Sequence, residues 1–319
     1  MRTTRPEAAA EGAPVPNHTR VTRRLSLRTA LAAAVLLPLS NAGLSARPAA
    51  AAAEEEPAVS PRLDTMSFNL RYANTTRPHS WAERRPVMRA LLRQEAPHVI
   101  GTQEGLHRQL LDIETDLGPD YRWIGTGRAG GDRDEFMAVF YDTRRLAPVE
   151  YQHFWLSDTP DVPGSNTWGG GSIRMVTWVR FRDLRDGGRE FHVLNTHLDN
   201  ASQYARERAA TLIARRVAGF DPALPLVVTG DFNVAAHRNS VYDTMLGAGL
   251  VDTWDTAAER GDLYATFHGY RPLTPGGDRI DWILTTPGVT AHRAAINTFA
   301  SGGQFPSDHL PVQVSLTLG

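Results

Sequence analysis

The chain has 319 residues, a formal net charge of −1 and no cysteine, which excludes disulfides, zinc–thiolate sites and thiol nucleophiles. It also lacks lysine: all 34 basic residues are arginine, so Schiff-base and phosphate-loop lysine chemistries are excluded too. The Ala, Arg and Gly bias reads as that of a GC-rich genome rather than as a functional signal.

The first 53 residues differ in kind from the rest. Thr22-Arg23-Arg24-Leu25-Ser26-Leu27-Arg28 precedes an apolar stretch from Ala30 to Leu39, and small residues follow from Ala46 to Ala53. A basic region, a short hydrophobic region and a small-residue zone together make a secretory signal, and the paired arginines point to the twin-arginine route. An ordinary signal with a long basic lead is the alternative route, and an uncleaved anchor the alternative outcome. The apolar stretch is too short to span a bilayer, so the expectation is a secreted or extracytoplasmic protein without a stable membrane span. Residues 1–53 hold seven Arg and two Glu, which leaves −6 for the remainder. A mildly acidic domain is poorly suited to tracking a long polyanion by bulk electrostatics.

Residues 54–62 are an acidic, proline-containing lead-in, and 63–319 show no linker or low-complexity segment, as expected of one layered domain. Hydrophobic alternation and turn residues predict strands at 63–71, 97–103, 121–126, 135–141, 148–156, 173–183, 189–198, 224–231, 279–285 and 310–318. Helices are predicted at 81–95, 105–117, 203–218 and 239–248. The third carries Ala205, Ala209, Leu212, Ile213, Arg216 and Val217 as a near-amphipathic stripe. Asp186-Gly187-Gly188 between two strand patterns is a hairpin signal. Hairpins mixed with helices favour a pair of mixed sheets covered by helices over a doubly wound parallel sheet. The two halves of the domain look alike in this respect.

The chemistry-bearing residues cluster where strands run out. The first such end is Ser67-Phe68-Asn69-Leu70-Arg71, in which Asn69 and Arg71 share a face. The second is Ile100-Gly101-Thr102-Gln103-Glu104, and the third Asn195-Thr196-His197-Leu198-Asp199-Asn200. The fourth, Gly230-Asp231-Phe232-Asn233, ends a Val-rich run and places Asp231 and Asn233 on one face with Phe232 opposite. Arg279-Ile280-Asp281 and Ser307-Asp308-His309 complete the set. Any one of these residues reads equally as a cap or turn. Together they supply carboxylate and amide oxygens with two histidines, an inventory suited to a hard cation such as Mg²⁺, with Mn²⁺ as a substitute, and unsuited to structural zinc.

In this order the six motifs resemble those of the endonuclease/exonuclease/phosphatase superfamily, which includes deoxyribonuclease I, abasic-site endonucleases, sphingomyelinases, inositol polyphosphate phosphatases and mRNA deadenylases. The resemblance covers residues 63–318. Phe154-Trp155-Leu156-Ser157-Asp158-Thr159-Pro160 further resembles a bacterial subgroup of metal-dependent hydrolases. The resemblance implies a four-layer α/β sandwich with its site at one end of two packed sheets. It implies that Glu104 is the main Mg²⁺ ligand, with Asn69 beside it and Asp308 approaching from the last strand. Asp231 would accept a proton from the attacking water and Asn233 would hold water or a phosphate oxygen. His309, oriented by Asp281, would stand as an imidazolium next to the phosphate, and His197 would act as a second donor. Some relatives carry an acidic residue where this chain has Arg71, which leans toward one metal and adds a phosphate contact. Some nucleases carry Tyr in place of His197.

Arg71, Asn200, Arg174 and Trp168 are the expected substrate contacts, with His268 at the site edge. Trp168 belongs to the loop Asn166-Thr167-Trp168-Gly169-Gly170-Gly171, either a substrate lip or a plain connection. Trp81, Arg84 and Arg85 read either as a packed helix start with solvated arginines or as substrate contacts. Specificity is expected in the irregular loops around 127–134, 157–172 and 262–278. The expected activity is that of a monomeric, exported Mg²⁺-dependent phosphoesterase acting on a small or lipid-linked phosphate ester. An extracellular nuclease, a sphingomyelinase-like phospholipase and an inert binding module are the alternatives.

Overall fold

A computed structural model describes residues 61–319; the expected export signal and residues 54–60 of the lead-in lie outside the described residues. Strand β1 is Leu63–Asn69 and helix α1 is Trp81–Glu95. Glu83 reaches back to accept from the Ser80 backbone N–H at 3.1 Å, which closes the first turn of α1. Ala96 ends it in the left-handed region at φ 42°, ahead of Pro97. Then follow β2 (Val99–Gln103), β3 (Gly105–Leu106), α2 (His107–Leu117), β4 (Tyr121–Ile124), β5 (Glu135–Phe136) and β6 (Val139–Asp142). A long hairpin ladder comes next: β7 (Leu146–Trp155), β8 (Met175–Asp183) and β9 (Glu190–His197). The second half continues with α3 (Gln203–Val217), β10 (Leu226–Asp231), α4 (Ser240–Gly247), β11 (Val251–Asp252), α5 (Thr253–Thr256) and β12 (Glu259–Arg260). It closes with β13 (Asp281–Thr285), β14 (Thr290–Ile296) and β15 (Val312–Thr317).

Seven strands form one sheet in the order β12-β14-β15-β1-β2-β6-β4, and six form the other in the order β11-β13-β10-β9-β8-β7. Each sheet holds a parallel pair near its centre, β1 with β2 and β9 with β10, among mainly antiparallel neighbours. The sheets pack face to face through Leu63, Val99, Val139, Val193, Val227, Ile283 and Val312, all buried. The outer face of the first sheet packs Met66, Phe68 and Ile100 against Met88, Leu91 and Leu110 of α1 and α2. The outer face of the second packs Leu194, Val228 and Trp282 against Ala209, Ile213 and Met245 of α3 and α4. The result is the expected four-layer sandwich, helices–sheet–sheet–helices. Each fully buried aliphatic side chain contributes about 1.5–3 kcal/mol of transfer free energy to this packing.

Strand periodicity then positions the site. Along β1, β2, β9 and β10 the inter-sheet face begins with Leu63, Val99, Val193 and Val227 and ends with Asn69, Gln103, His197 and Asp231, while antiparallel β13 runs the other way, from Asp281 to Ile283. A period of two turns the same face from apolar to polar within one strand length. Between these zones lies a buried polar rung, where Gln103 Nε2 and Thr229 Oγ1 donate to Asn195 Oδ1 (2.7 and 3.1 Å). Asn195 Nδ2 donates across the gap to the carbonyls of Thr102 and Ala138. Gly101 is required at this close approach: a Cβ there would meet Thr229 Oγ1 at 1.9 Å.

Candidate active site

Three polar side chains lie level across adjacent strands. Asp231 of β10 registers with His197 of β9 on one side and with Asp281 of β13 on the other. Asn69 answers from the opposite sheet, its Nδ2 donating to Asp231 Oδ2 and to Glu104 Oε1, each at 2.9 Å. Its Oδ1 accepts from the Arg71 N–H at 2.9 Å and so orders the turn after β1. His309 enters from the segment before β15; its Nδ1 lies 3.0 Å from Asp281 Oδ2 and its Nε2 3.8 Å from Asp231 Oδ2. Ser307 fixes that segment by donating to the Asn69 carbonyl at 2.7 Å.

Strand alternation placed Arg71 and Asn233 on strand faces, but β1 and β10 end before them, and Glu104 follows the end of β2 as expected. All three sit in the left-handed region, at φ 51°, 63° and 54°. Non-glycine residues held there cost of order 1 kcal/mol or more each, and their concentration in one place is typical of a functional centre. The turn at Asn233 brings its Nδ2 to His197 Nε2 (3.0 Å) and the Leu198 carbonyl (3.0 Å). Its N–H donates to Asp231 Oδ1 at 2.9 Å. Phe232 points the other way, buried and stacked on Trp282, as the alternation requires.

The two histidines flanking Asp231 are driven apart in proton affinity. Burial would depress His309, but the Asp281 and Asp231 carboxylates outweigh it and hold the imidazolium to about 10. Burial, then the positive charges of Arg174 and His309, push His197 well below the usual imidazole value. His197 is therefore neutral; with Asn233 donating to Nε2, its proton sits on Nδ1. Burial and the neighbouring Asp281 raise Asp231 to about 7. A carboxylate with proton affinity near neutrality beside a cationic and a neutral imidazole is an acid–base arrangement.

The donor set fits a hard divalent cation. Ligand atoms of Glu104, His197 and Asp231 lie within 4.8 Å of one another. Among the described residues Glu104 has no arginine partner: its oxygens meet Asn69 Nδ2 and, at 3.3 Å, the Tyr72 N–H. A carboxylate without an arginine partner next to Asp231 and His197 could hold a divalent cation. Asp308 is engaged elsewhere, with Oδ2 on Arg71 Nη1 at 3.0 Å and Oδ1 on Ser307 Oγ. Arg71 also stacks on the Tyr270 ring. A second acid–histidine group, His237, Asp252 and Asp255, is an ion-pair network, because Asp252 is held by Arg279 at 2.8 Å.

The expected substrate contacts divide. Arg174 and Asn200 are joined at 3.1 Å on the His197 side of the site. Trp168 is instead packed in the cluster of Phe154, Leu156 and Ala209 beneath α3, with Arg208 over its ring, so its loop is anchored by the tryptophan. His268 borders the site through its N–H on the Asp308 carbonyl. Arg84 is neither solvated nor a substrate contact. It is fully buried and donates to the carbonyls of His79, Leu70, Pro306, Arg71 and Tyr72, tying the turn after β1 to the segment carrying Asp308. Arg128 and Glu135, paired at 2.6 Å, border the site without belonging to any sequence motif. Burial raises Glu135 to about 7 against the opposing pull of Arg128, and the Glu104 carboxylate adds to the rise.

Two packed sheets whose central parallel pairs end in one acid, amide and histidine cluster define a phosphoester hydrolase fold and site. The chain belongs to the Endonuclease/Exonuclease/phosphatase family, whose model matches residues 66–309. A family protein of Bacteroides thetaiotaomicron is 35% identical, covering 81% of this chain and 98% of its own, with a TM-score of 0.76. A mannosyl-6-phosphatase of the same organism is 34% identical over 80% of this chain and 99% of its own, with a TM-score of 0.74. The human Nocturnin catalytic domain with bound sulfate, 16% identical over 82% and 96% with a TM-score of 0.65, shares the fold. Comparison with curated proteins gave no match.

Proposed function

We propose that this protein is an exported, Mg²⁺-dependent phosphoesterase that hydrolyses a small phosphate ester by direct attack of water. The observation that carries the reading is the Asn69 amide bridging Glu104 and Asp231 between the two sheets, with His197 and His309 on either side. Glu104, with Asn69 and Asp231 beside it, would hold the cation. When bound, it supplies Lewis-acid polarisation of the phosphoryl group and offsets charge on the leaving oxygen.

Asp231 takes the proton of the attacking water; its raised proton affinity suits that task near neutral pH. Asn233 orients that water or a phosphoryl oxygen through its amide. His309, kept cationic by Asp281 and Asp231, presents a positive charge where negative charge builds in the transition state. Oxygen of water bonds to phosphorus, the ester oxygen departs, and no covalent enzyme intermediate is needed. The mannosyl-6-phosphatase relative supports a sugar phosphate as the substrate class. Export is supported by the signal-like first 53 residues. Among the described residues, no helix is long and apolar enough to cross a membrane.

A panel of phosphate monoesters and diesters with the purified protein, with and without Mg²⁺, tests the proposal. Wild type, Glu104→Ala and His309→Ala are compared. Turnover that persists in both variants and in EDTA refutes the mechanism.

A further inference from the structure

Arg174 is a buried cation with unused hydrogen-bonding capacity. It is 6% exposed, and among the described residues its Nε and Nη1 have no hydrogen-bond partner. Nη2 donates to Asn200 Oδ1 at 3.1 Å. The carboxylate nearest to it, Asp199 Oδ2 at 3.8 Å from Nε, is already committed to backbone donors. Ser172 N–H reaches Oδ2 at 3.1 Å, and Ala201 and Ser202 reach Oδ1 at 2.9 and 2.7 Å. Buried guanidinium N–H groups are ordinarily satisfied, and an exception calls for a ligand.

A second arginine stands beside it. The Trp155 indole holds the Arg128 carbonyl at 2.6 Å, and the next residue, Leu156, holds the Arg174 carbonyl through its N–H at 2.8 Å. The end of β7 thus fixes both arginines side by side. Arg128 spends Nη1 on Glu135, and its Nε, 3.0 Å from Asp134 Oδ2, is buried and makes no well-directed hydrogen bond. Buried Arg174 and half-buried Arg128 stand near Asp199, Asp134 and Glu135, yet Arg174 Nε and Nη1 and Arg128 Nε lack a well-directed acceptor, which an incoming anion would supply.

The pair also borders the reacting centre. In the β8–β9 ladder Val176 pairs with Thr196, so continuing that register sets Met175 opposite His197 and Arg174 one residue beyond it. The neighbouring side chains Met137, Trp155 and Met175 form a buried cluster.

We infer that Arg174 and Arg128 form an anion subsite for a terminal phosphoryl group, making this centre selective for phosphate monoesters over diesters. The inference rests on the phosphoester reading of the site and specifies its substrate class. A monoester near neutral pH carries close to two charges on three non-bridging oxygens, whereas a diester carries one charge and a second organic arm. The charge-assisted N–H groups of Arg174 match the extra charge and oxygen.

Calorimetric titration with inorganic phosphate and with dimethyl phosphate, in Mg²⁺ at pH 8, tests it without relying on turnover. Wild type should bind phosphate at least about tenfold more tightly than dimethyl phosphate. Arg174→Gln should lose about tenfold or more of the phosphate affinity and leave that for dimethyl phosphate within about threefold, with Arg174→Lys recovering part of the loss. Equal losses for both ligands, or no preference in wild type, overturn the inference. If Arg174→Gln melts far below wild type, Arg128→Gln carries the same comparison. A protein that binds phosphate through Arg174 yet cleaves no ester keeps the subsite and refutes the function. One that cleaves diesters as readily as monoesters does the reverse.

Discussion

Asn69 Nδ2 and Asp231 Oδ2 lie 2.9 Å apart although they belong to different sheets. One amide so placed holds two carboxylates, Asp231 and Glu104, through charge-assisted hydrogen bonds. Asn69→Ala removes both donors and leaves the acids facing each other. We expect kcat to fall by roughly 10²–10³, the scale of one lost preorganised donor, with a smaller change in KM. Asn69→Asp should do the same and lower stability too, because it adds a third buried carboxylate. Steady-state kinetics alongside thermal melts decide this; near wild-type kcat in Asn69→Ala removes the bridge from the mechanism.

Arg84 is a second kind of pivot, since its five backbone acceptors include Leu70, Arg71 and Pro306 on both sides of the site. Arg84→Ala leaves buried carbonyls without donors and should lower the unfolding free energy by roughly 3 kcal/mol. Arg84→Lys supplies three donors in the wrong geometry and should recover only part of it. Urea denaturation reads both; a midpoint unchanged in Arg84→Ala contradicts the clamp.

Gly101 marks where the sheets come closest. Alanine there would place Cβ 1.9 Å from Thr229 Oγ1 and 2.8 Å from Asn195 Oδ1. Neither neighbour is free to retreat, as both belong to the buried rung. Gly101→Ala should cost at least the roughly 1–3 kcal/mol of an overpacked core, and should lower kcat because the sheets that meet at the site are wedged apart. Melting temperature and kcat are measured together, and loss of neither refutes the close approach.

Acid should weaken the fold through its buried neutral histidines. Burial pushes His153 down to about 4, and burial is also the leading cause of the lowered values at His98 and His192. The unfolded imidazole titrates near 6.5, so between that pH and 4 the unfolded state binds more protons. The stability held by a neutral His153 is therefore complete above pH 6.5 and is lost as pH falls toward 4. His153→Gln, which keeps a partner for Thr177 Oγ1, should make the fall in melting temperature between pH 6.5 and 5 shallower. Parallel slopes for the two proteins defeat this account.

Much of the site was legible because the functional residues sit at the ends of apolar strands, Asp281, Asp308 and His309 at the leading end of theirs and the others at the trailing end, and the chain order of the motifs is specific. The turn geometry was not: alternation carried β1 through Arg71 and β10 through Asn233, and nothing foretold that these two and Glu104 turn away from the strand ends with positive φ. β14 escaped notice because Thr-Ala-His-Arg-Ala-Ala-Ile has weak strand propensity; its pairing with β15 supplies what the residues lack. Arg84 could be read as solvated or as a contact, but a guanidinium satisfied wholly by carbonyls has no sequence signature. Trp168 sits among glycines, as a lip would, yet its ring is core. Arg128 lies in the 127–134 loop where specificity was expected, but neither it nor Glu135 follows a motif, and their pairing becomes visible only in the fold.

Ser307 holds the Asn69 carbonyl, so the segment leading into the last strand closes on the end of the first. Half of the centre hangs from β1 and β2, and half from β9, β10, β13 and the residues before β15. Catalytic competence therefore arrives only when the whole sandwich has assembled, and no partial product of synthesis or proteolytic nicking can hold it. A ligand gripping both halves would act as a fastener, slowing separation of the sheets, so turnover and resistance to unfolding should rise and fall together.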